Sequence, residues 1–175
     1  MSERVSLDLL MAYCRTTYFV ETGIARHSLR LGERNDAFDR WCESLEIATW
    51  AFVTSANPRS QRRSEEENAA RDTTFRDLLR TEGRRFWTGA GVADKGDWPA
   101  EPSLLVADVS HDEACAYGRR FDQHAIVWGV LGGPAELVLL SPVDASVLEA
   151  AKRHGDAVVR QVVQTMRATR LGPSS

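Results

Sequence analysis

With 175 residues, 43% of them hydrophobic, and a net charge of -3, the chain has the length and apolar content of one folded domain. Its 22 Lys+Arg against 25 Asp+Glu exclude the uniform cationic field that coating duplex nucleic acid requires. No run approaches the roughly 20 apolar residues of a membrane span, and the opening MSERVSLDLL lacks the pattern of a secretory leader. Cys14, Cys42 and Cys115 form neither a disulfide framework nor a CxxC pair. Reduced thiols and a cytoplasmic location are expected, with no membrane partner.

Leu7, Leu10, Met11 and Cys14 recur at helical spacing behind Ser6, predicting a first helix over 6–16. Two short runs, 18–22 and 27–31, flank Gly23 and predict a hairpin. Asn35 or Asp36 caps a second helix with Phe38, Trp41, Cys42 and Leu45 on one face, and the β-branched and aromatic run 48–55 reads as a strand. After the Asn57-Pro58 break, Ser64 and Glu67 form a capping box for a long helix that Gly83 ends. A short strand over 84–88 and an irregular loop over 89–102 follow. Then come an apolar strand over 103–109, a second capping box at Ser110 and Glu113, a helix to 121, and strands over 123–131 and 135–140 around Gly132-Gly133. The tail 143–170 is predicted helical with a break at Gly155. Val158, Val159, Val162, Val163 and Met166 lie on one face, and 172–175 is expected to fray.

Each strand–helix–strand segment reads as a crossover, which predicts that 48–55 runs parallel to 84–88 and that 103–109 runs parallel to 123–131. If the two units are joined antiparallel, one end of the sheet collects the polar residues. Asn57, Arg59 and Ser60 arrive from the end of the first strand, Trp98 and Glu101 from the loop, Ser103 and Gln123 from strand starts, and Asn68 and Arg71 from the long helix. The amides at the start of that helix suit an anion, and Arg59 and Arg71 supply planar forks for one.

The same residues carry a resemblance. NPRS at 57–60, ENAAR at 67–71, GAG at 89–91, WPAEPS at 98–103 and FDQHA at 121–125 occur in order and spacing. Over about residues 7–140 the chain resembles a bacterial and phage family defined only as a domain of unknown function, number thirty-two ninety-three of its series. Asp122 departs from it, since the family favours glycine before the glutamine. The resemblance implies no chemistry.

Structural duties compete for each residue: Glu67 serves the capping box, Asn57 a turn, Glu101 an ion pair with Arg71 or another arginine, Gln123 a backbone carbonyl, and Trp98 a plug under a loop. Gly89-x-Gly91 lacks the third glycine of a dinucleotide fingerprint, and the chain has no Walker A sequence and no GxSxG elbow. His111 and Cys115 are two residues at ligand spacing and do not make a metal site. His124 is the histidine nearest the polar end, but strand alternation turns it away from Gln123.

The sequence therefore predicts an α+β fold: a single domain with a mixed sheet and packed helices over 1–141, then a helical extension over 142–175. The expected activity is binding of an anionic small molecule, a nucleotide or phosphorylated metabolite, at the polar sheet end. Asn57, Arg59, Ser60, Asn68, Arg71, Trp98, Glu101, Ser103 and Gln123 are its candidate contacts, and neither a cofactor nor a metal is expected. The competing expectation is a regulatory or interaction module that forms a homodimer through the C-terminal helix.

Overall fold

A computed structural model describes residues 4–170, with side chains through Met166, so the expected fraying of 172–175 lies outside the described residues. The order is α1 (Leu7–Cys14), β1 (Thr16–Glu21), β2 (Arg26–Leu29), α2 (Asp36–Ser44), β3 (Thr49–Thr54), a 3-10 turn (Pro58–Ser60) and α3 (Glu65–Thr81). Then follow β4 (Phe86–Ala93), β5 (Glu101–Ala107), α4 (His111–Arg120), β6 (Ala125–Val130), β7 (Glu136–Leu139), α5 (Ala145–His154) and α6 (Ala157–Arg170). The helix starts are those the capping residues predict. Ser6 Oγ accepts from the Leu9 N–H and Asn35 Oδ1 from the Phe38 N–H, and both capping boxes, Ser64/Glu67 and Ser110/Glu113, close reciprocally.

The fold is α+β, built on a seven-stranded sheet in the order β2-β1-β4-β5-β3-β6-β7. The expected parallel pairing gives way to antiparallel ladders between all these strands. The two crossover units interleave: β5 inserts between β4 and β3, and β3 between β5 and β6. Strands β3 and β4 still point the same way, as do β5 and β6, but none of these are hydrogen-bonded neighbours. The expected loop over 89–102 is mostly strand, because β4 continues to Ala93 and β5 begins at Glu101, leaving a turn over 94–100.

Side-chain alternation divides the interior into two cores. Along β3, Trp50 and Phe52 join one cluster while Ala51 and Val53 join the other; along β5, Leu105 and Ala107 oppose Leu104 and Val106. Helices α1, α2, α5 and α6 cover the first face, and α3 and α4 the second through Phe75, Leu79, Cys115 and Tyr117. This two-sided cover explains the apolar run 103–109. Gly155 separates α5 from α6, and Val159, Val162, Val163 and Met166 are buried in the first core. Four of the five residues of the tail stripe are thus covered by their own chain.

Candidate functional site

A cavity of about 290 Å3 opens between α1 and the end of the sheet where β3 and β4 finish and β5 and β6 begin. Its floor follows the two-residue period of five strands: Thr16 and Tyr18, Gly91 and Ala93, Glu101 and Ser103, Phe52 and Thr54, Ala125 and Val127. Register aligns them in rows, Tyr18 against Gly91 against Glu101, and Gly89 against Ser103 against Thr54. Gly91 and Ala93 contribute little volume, which leaves room beneath α1. The wall that α1 supplies is Leu9, Ala12 and Tyr13, spaced three and four apart on one helical face.

Glu101 is the cavity's carboxylate. Its Oε1 accepts from Asn57 Nδ2 at 2.7 Å and from Trp98 Nε1 at 3.0 Å. Burial raises its pKa above the ordinary 4.5, against the pull of these two donors in the other direction. Tyr13 Oη lies 3.2 Å from Ser60 Oγ. Burial, opposed by that hydrogen bond and aided by the charge of Glu101, pushes the phenol up to about 12.

Asn57 is 5% exposed and sits at φ +45°, a left-handed conformation that asparagine tolerates. Its N–H donates to Asn68 Oδ1, and its Oδ1 accepts from Asn68 Nδ2 and the Arg63 N–H, which turns Nδ2 toward Glu101. Arg59 and Ser60 follow at φ +55° each, and the Arg59 N–H anchors the turn on the Asp122 carbonyl at 2.7 Å. Such a run of left-handed non-glycine residues persists only where surrounding contacts fix it.

Among the predicted contacts, Asn57, Ser60, Trp98, Glu101, Ser103 and Gln123 line the cavity. Arg59 and Arg71 line a second, more open depression with Arg63, Glu67 and Asp122. Asn68 borders neither lining and braces Asn57 instead. The Arg71–Glu101 pair is corrected: Arg71 donates through Nε to the Ser55 carbonyl and through Nη2 to the Phe121 carbonyl, each at 2.6 Å. The reason is topological, since α3 packs on the face opposite α1, so its arginine reaches the strand ends from behind. Gln123 Nε2 shares the Phe121 carbonyl and also donates to Ala56 O. His124 turns away, with Nδ1 at 2.7 Å from Ser141 Oγ.

Tyr13, Thr16, Tyr18, Thr54 and Lys95 are lining residues that the sequence reading missed. The signal for α1 was present, because Leu9, Ala12 and Tyr13 form a second stripe beside the Leu7, Leu10, Met11 and Cys14 stripe.

Residues 53–126 match the family model described as Protein of unknown function (DUF3293). The matched segment holds all five motifs and the cavity's Asn57, Ser60, Trp98, Glu101, Ser103 and Gln123, whereas α1 and β1, which bring Tyr13, Thr16 and Tyr18, lie outside it. No curated protein and no solved structure matches the chain. No helix among the described residues is long and apolar enough to cross a membrane.

Asp122, where the resemblance implies glycine, has φ +55°, a conformation in which glycine is favoured. Its contact with Arg59 is 3.9 Å between half-exposed groups and contributes little. Asp122→Gly is expected to be at least as stable as the parent, and Asp122→Val to lose about 1–2 kcal/mol, as read from urea midpoints.

Glu101 also predicts a pH dependence. The folded chain holds its proton to higher pH than the unfolded chain. From the ordinary 4.5 up to the raised value the folded state therefore binds more protons, and stability falls as pH rises through that window. Glu101→Gln retains an oxygen for Asn57 and Trp98 but has no proton to lose. Urea titrations between about pH 4 and 7 are expected to show parent stability declining relative to this variant; a constant difference refutes the effect.

Proposed function

We propose that this protein binds a small molecule in the cavity between α1 and the sheet, with Glu101 as the polar anchor. The observation that carries the reading is an apolar-walled space of about 290 Å3 built around one fixed, desolvated carboxylate. A volume near 300 Å3 with few convergent polar groups is the usual form of a ligand site. Arg59 and Arg71 stand outside this space, so the anionic ligand expected from sequence loses the two groups meant to hold its charge.

The test uses the neutral fluorophore N-phenyl-1-naphthylamine. Saturable one-to-one fluorescence enhancement is expected with the parent chain and none with Ala93→Trp, which fills the floor at the end of β4. Circular dichroism confirms that the variant is folded. No saturable signal from the parent, or an equal signal from both, rejects the reading.

A further inference from the structure

We infer that the cavity's natural occupant is a small amine carried on an apolar or aromatic body. This rests on the binding reading above and narrows it, and it is carried by where the protons of the cavity's polar side chains go. Thr54 Oγ1 donates to the Pro102 carbonyl at 2.7 Å, and Ser103 Oγ to the Glu101 carbonyl at 3.1 Å. Thr16 Oγ1 donates to the Ala12 carbonyl at 2.8 Å, and Tyr18 Oη to the Tyr13 carbonyl at 3.1 Å. A hydroxyl has one proton, so none of these four keeps a proton for an occupant and each can only accept; Thr54 Oγ1, which also accepts from the Ala56 N–H at 3.0 Å, keeps a single lone pair.

The two amides are oriented by the same logic. Gln123 Nε2 lies 2.9 and 3.1 Å from two carbonyls, which fixes it as the nitrogen and commits both of its hydrogens. Its Oε1, an acceptor, remains. Asn57 is held by four bonds that leave one Nδ2 hydrogen beyond the one given to Glu101. On Glu101 both fixed donors meet Oε1, and among the described residues no donor reaches Oε2.

The cavity is thus rich in acceptors and holds a carboxylate. Against this stand one proton of the Tyr13–Ser60 pair, one hydrogen of Asn57, and the ammonium of Lys95 on the exposed 94–100 turn. Among the described residues no ion pair joins Lys95 to Glu101, whose side-chain partners are Asn57 and Trp98. A carboxylate or phosphate would bring acceptors to acceptors and charge against Glu101. An ammonium brings up to three donors and the opposite charge. The apolar part of such a molecule meets Leu9, Phe52, Val127 and Leu137, and the rings of Tyr18 and Trp98 favour a cation nearby.

The test is calorimetric titration of the full chain with matched amine, alcohol and carboxylic acid triples on phenylethyl, indolylethyl and cyclohexylmethyl bodies. For at least one body the amine is expected to bind about tenfold or more tightly than its alcohol, the value of a charge-assisted hydrogen bond, with the acid weakest. Glu101→Gln is expected to erase the preference for amine over alcohol. The ranking in the unmodified chain decides even if that variant fails to fold. An acid that binds best, or an alcohol equal to its amine throughout, overturns the amine assignment and leaves the cavity as a ligand site. If no member of any triple binds while the naphthylamine probe does, the amine assignment alone falls; if neither binds, both readings fall.

Discussion

Asn57→Ala is expected to cost about 3 kcal/mol, combining loss of buried hydrogen bonds with a left-handed backbone that alanine resists. The side chain removed accepts from Asn68 Nδ2 and the Arg63 N–H and donates to Glu101. Its loss frees the 57–60 turn and leaves Trp98 as the remaining donor to the carboxylate among the described residues. Asn57→Gly loses the same hydrogen bonds but keeps φ +45° without a Cβ, and is expected to be about 1 kcal/mol more stable than the alanine variant. Urea denaturation of the two variants separates the contributions. Equal stability would show that the backbone conformation carries none of the effect.

Gly89→Ala should destabilise by about 3 kcal/mol, at the upper end of overpacking effects. A Cβ built on Gly89 meets the Phe19 carbonyl oxygen at 2.4 Å and the Phe52 ring at 2.7 Å. The first contact is with backbone in the β1–β4 ladder, so relief requires strands to separate. Gly91, two residues on, has ordinary space of 3.6–3.8 Å to Thr16 and Tyr18, and Gly91→Ala is expected to change stability by less than about 0.5 kcal/mol. The two glycines of one motif thus have different duties: Gly89 admits the Phe52 ring and Gly91 leaves cavity volume. Thermal melts of both variants check the contrast, and comparable losses would contradict it.

Much of the fold is legible in the sequence because its signals are local. Serine and asparagine caps act within three residues, and alternation along β3 and β5 sets which core each side chain enters. The strand partners were not legible. A crossover states that two strands share a direction, which β3 and β4 do, yet it is silent on whether a third strand will lie between them. The same gap explains the site. The strand ends converge as direction alone predicts, bringing Asn57, Glu101, Ser103 and Gln123 to one cavity. Which face the cavity occupies depends on helix packing, and that places Tyr13 in the wall and Arg71 behind it. The 89–102 segment misled for a simpler reason: glycines that read as loop are small strand residues under a helix and a ring.

The interleaved strand order also constrains how the chain can acquire its structure during synthesis. The central strand β3 pairs with β5 and β6, both of which follow it in sequence by about 50 residues or more. Until residue 101 has emerged, β3 has neither neighbour, and its Trp50, Phe52 and Val53 lie on an open template with two bare edges. Strands β1 and β2 can close as a local hairpin, but their ladder to the rest of the sheet runs through β4, and the other link, a bridge from Leu31 to Ala135, waits for still later residues. Assembly is therefore concerted and late, as expected where non-local pairing dominates, and a nascent chain halted near residue 100 is the species most exposed to aggregation and most dependent on chaperones.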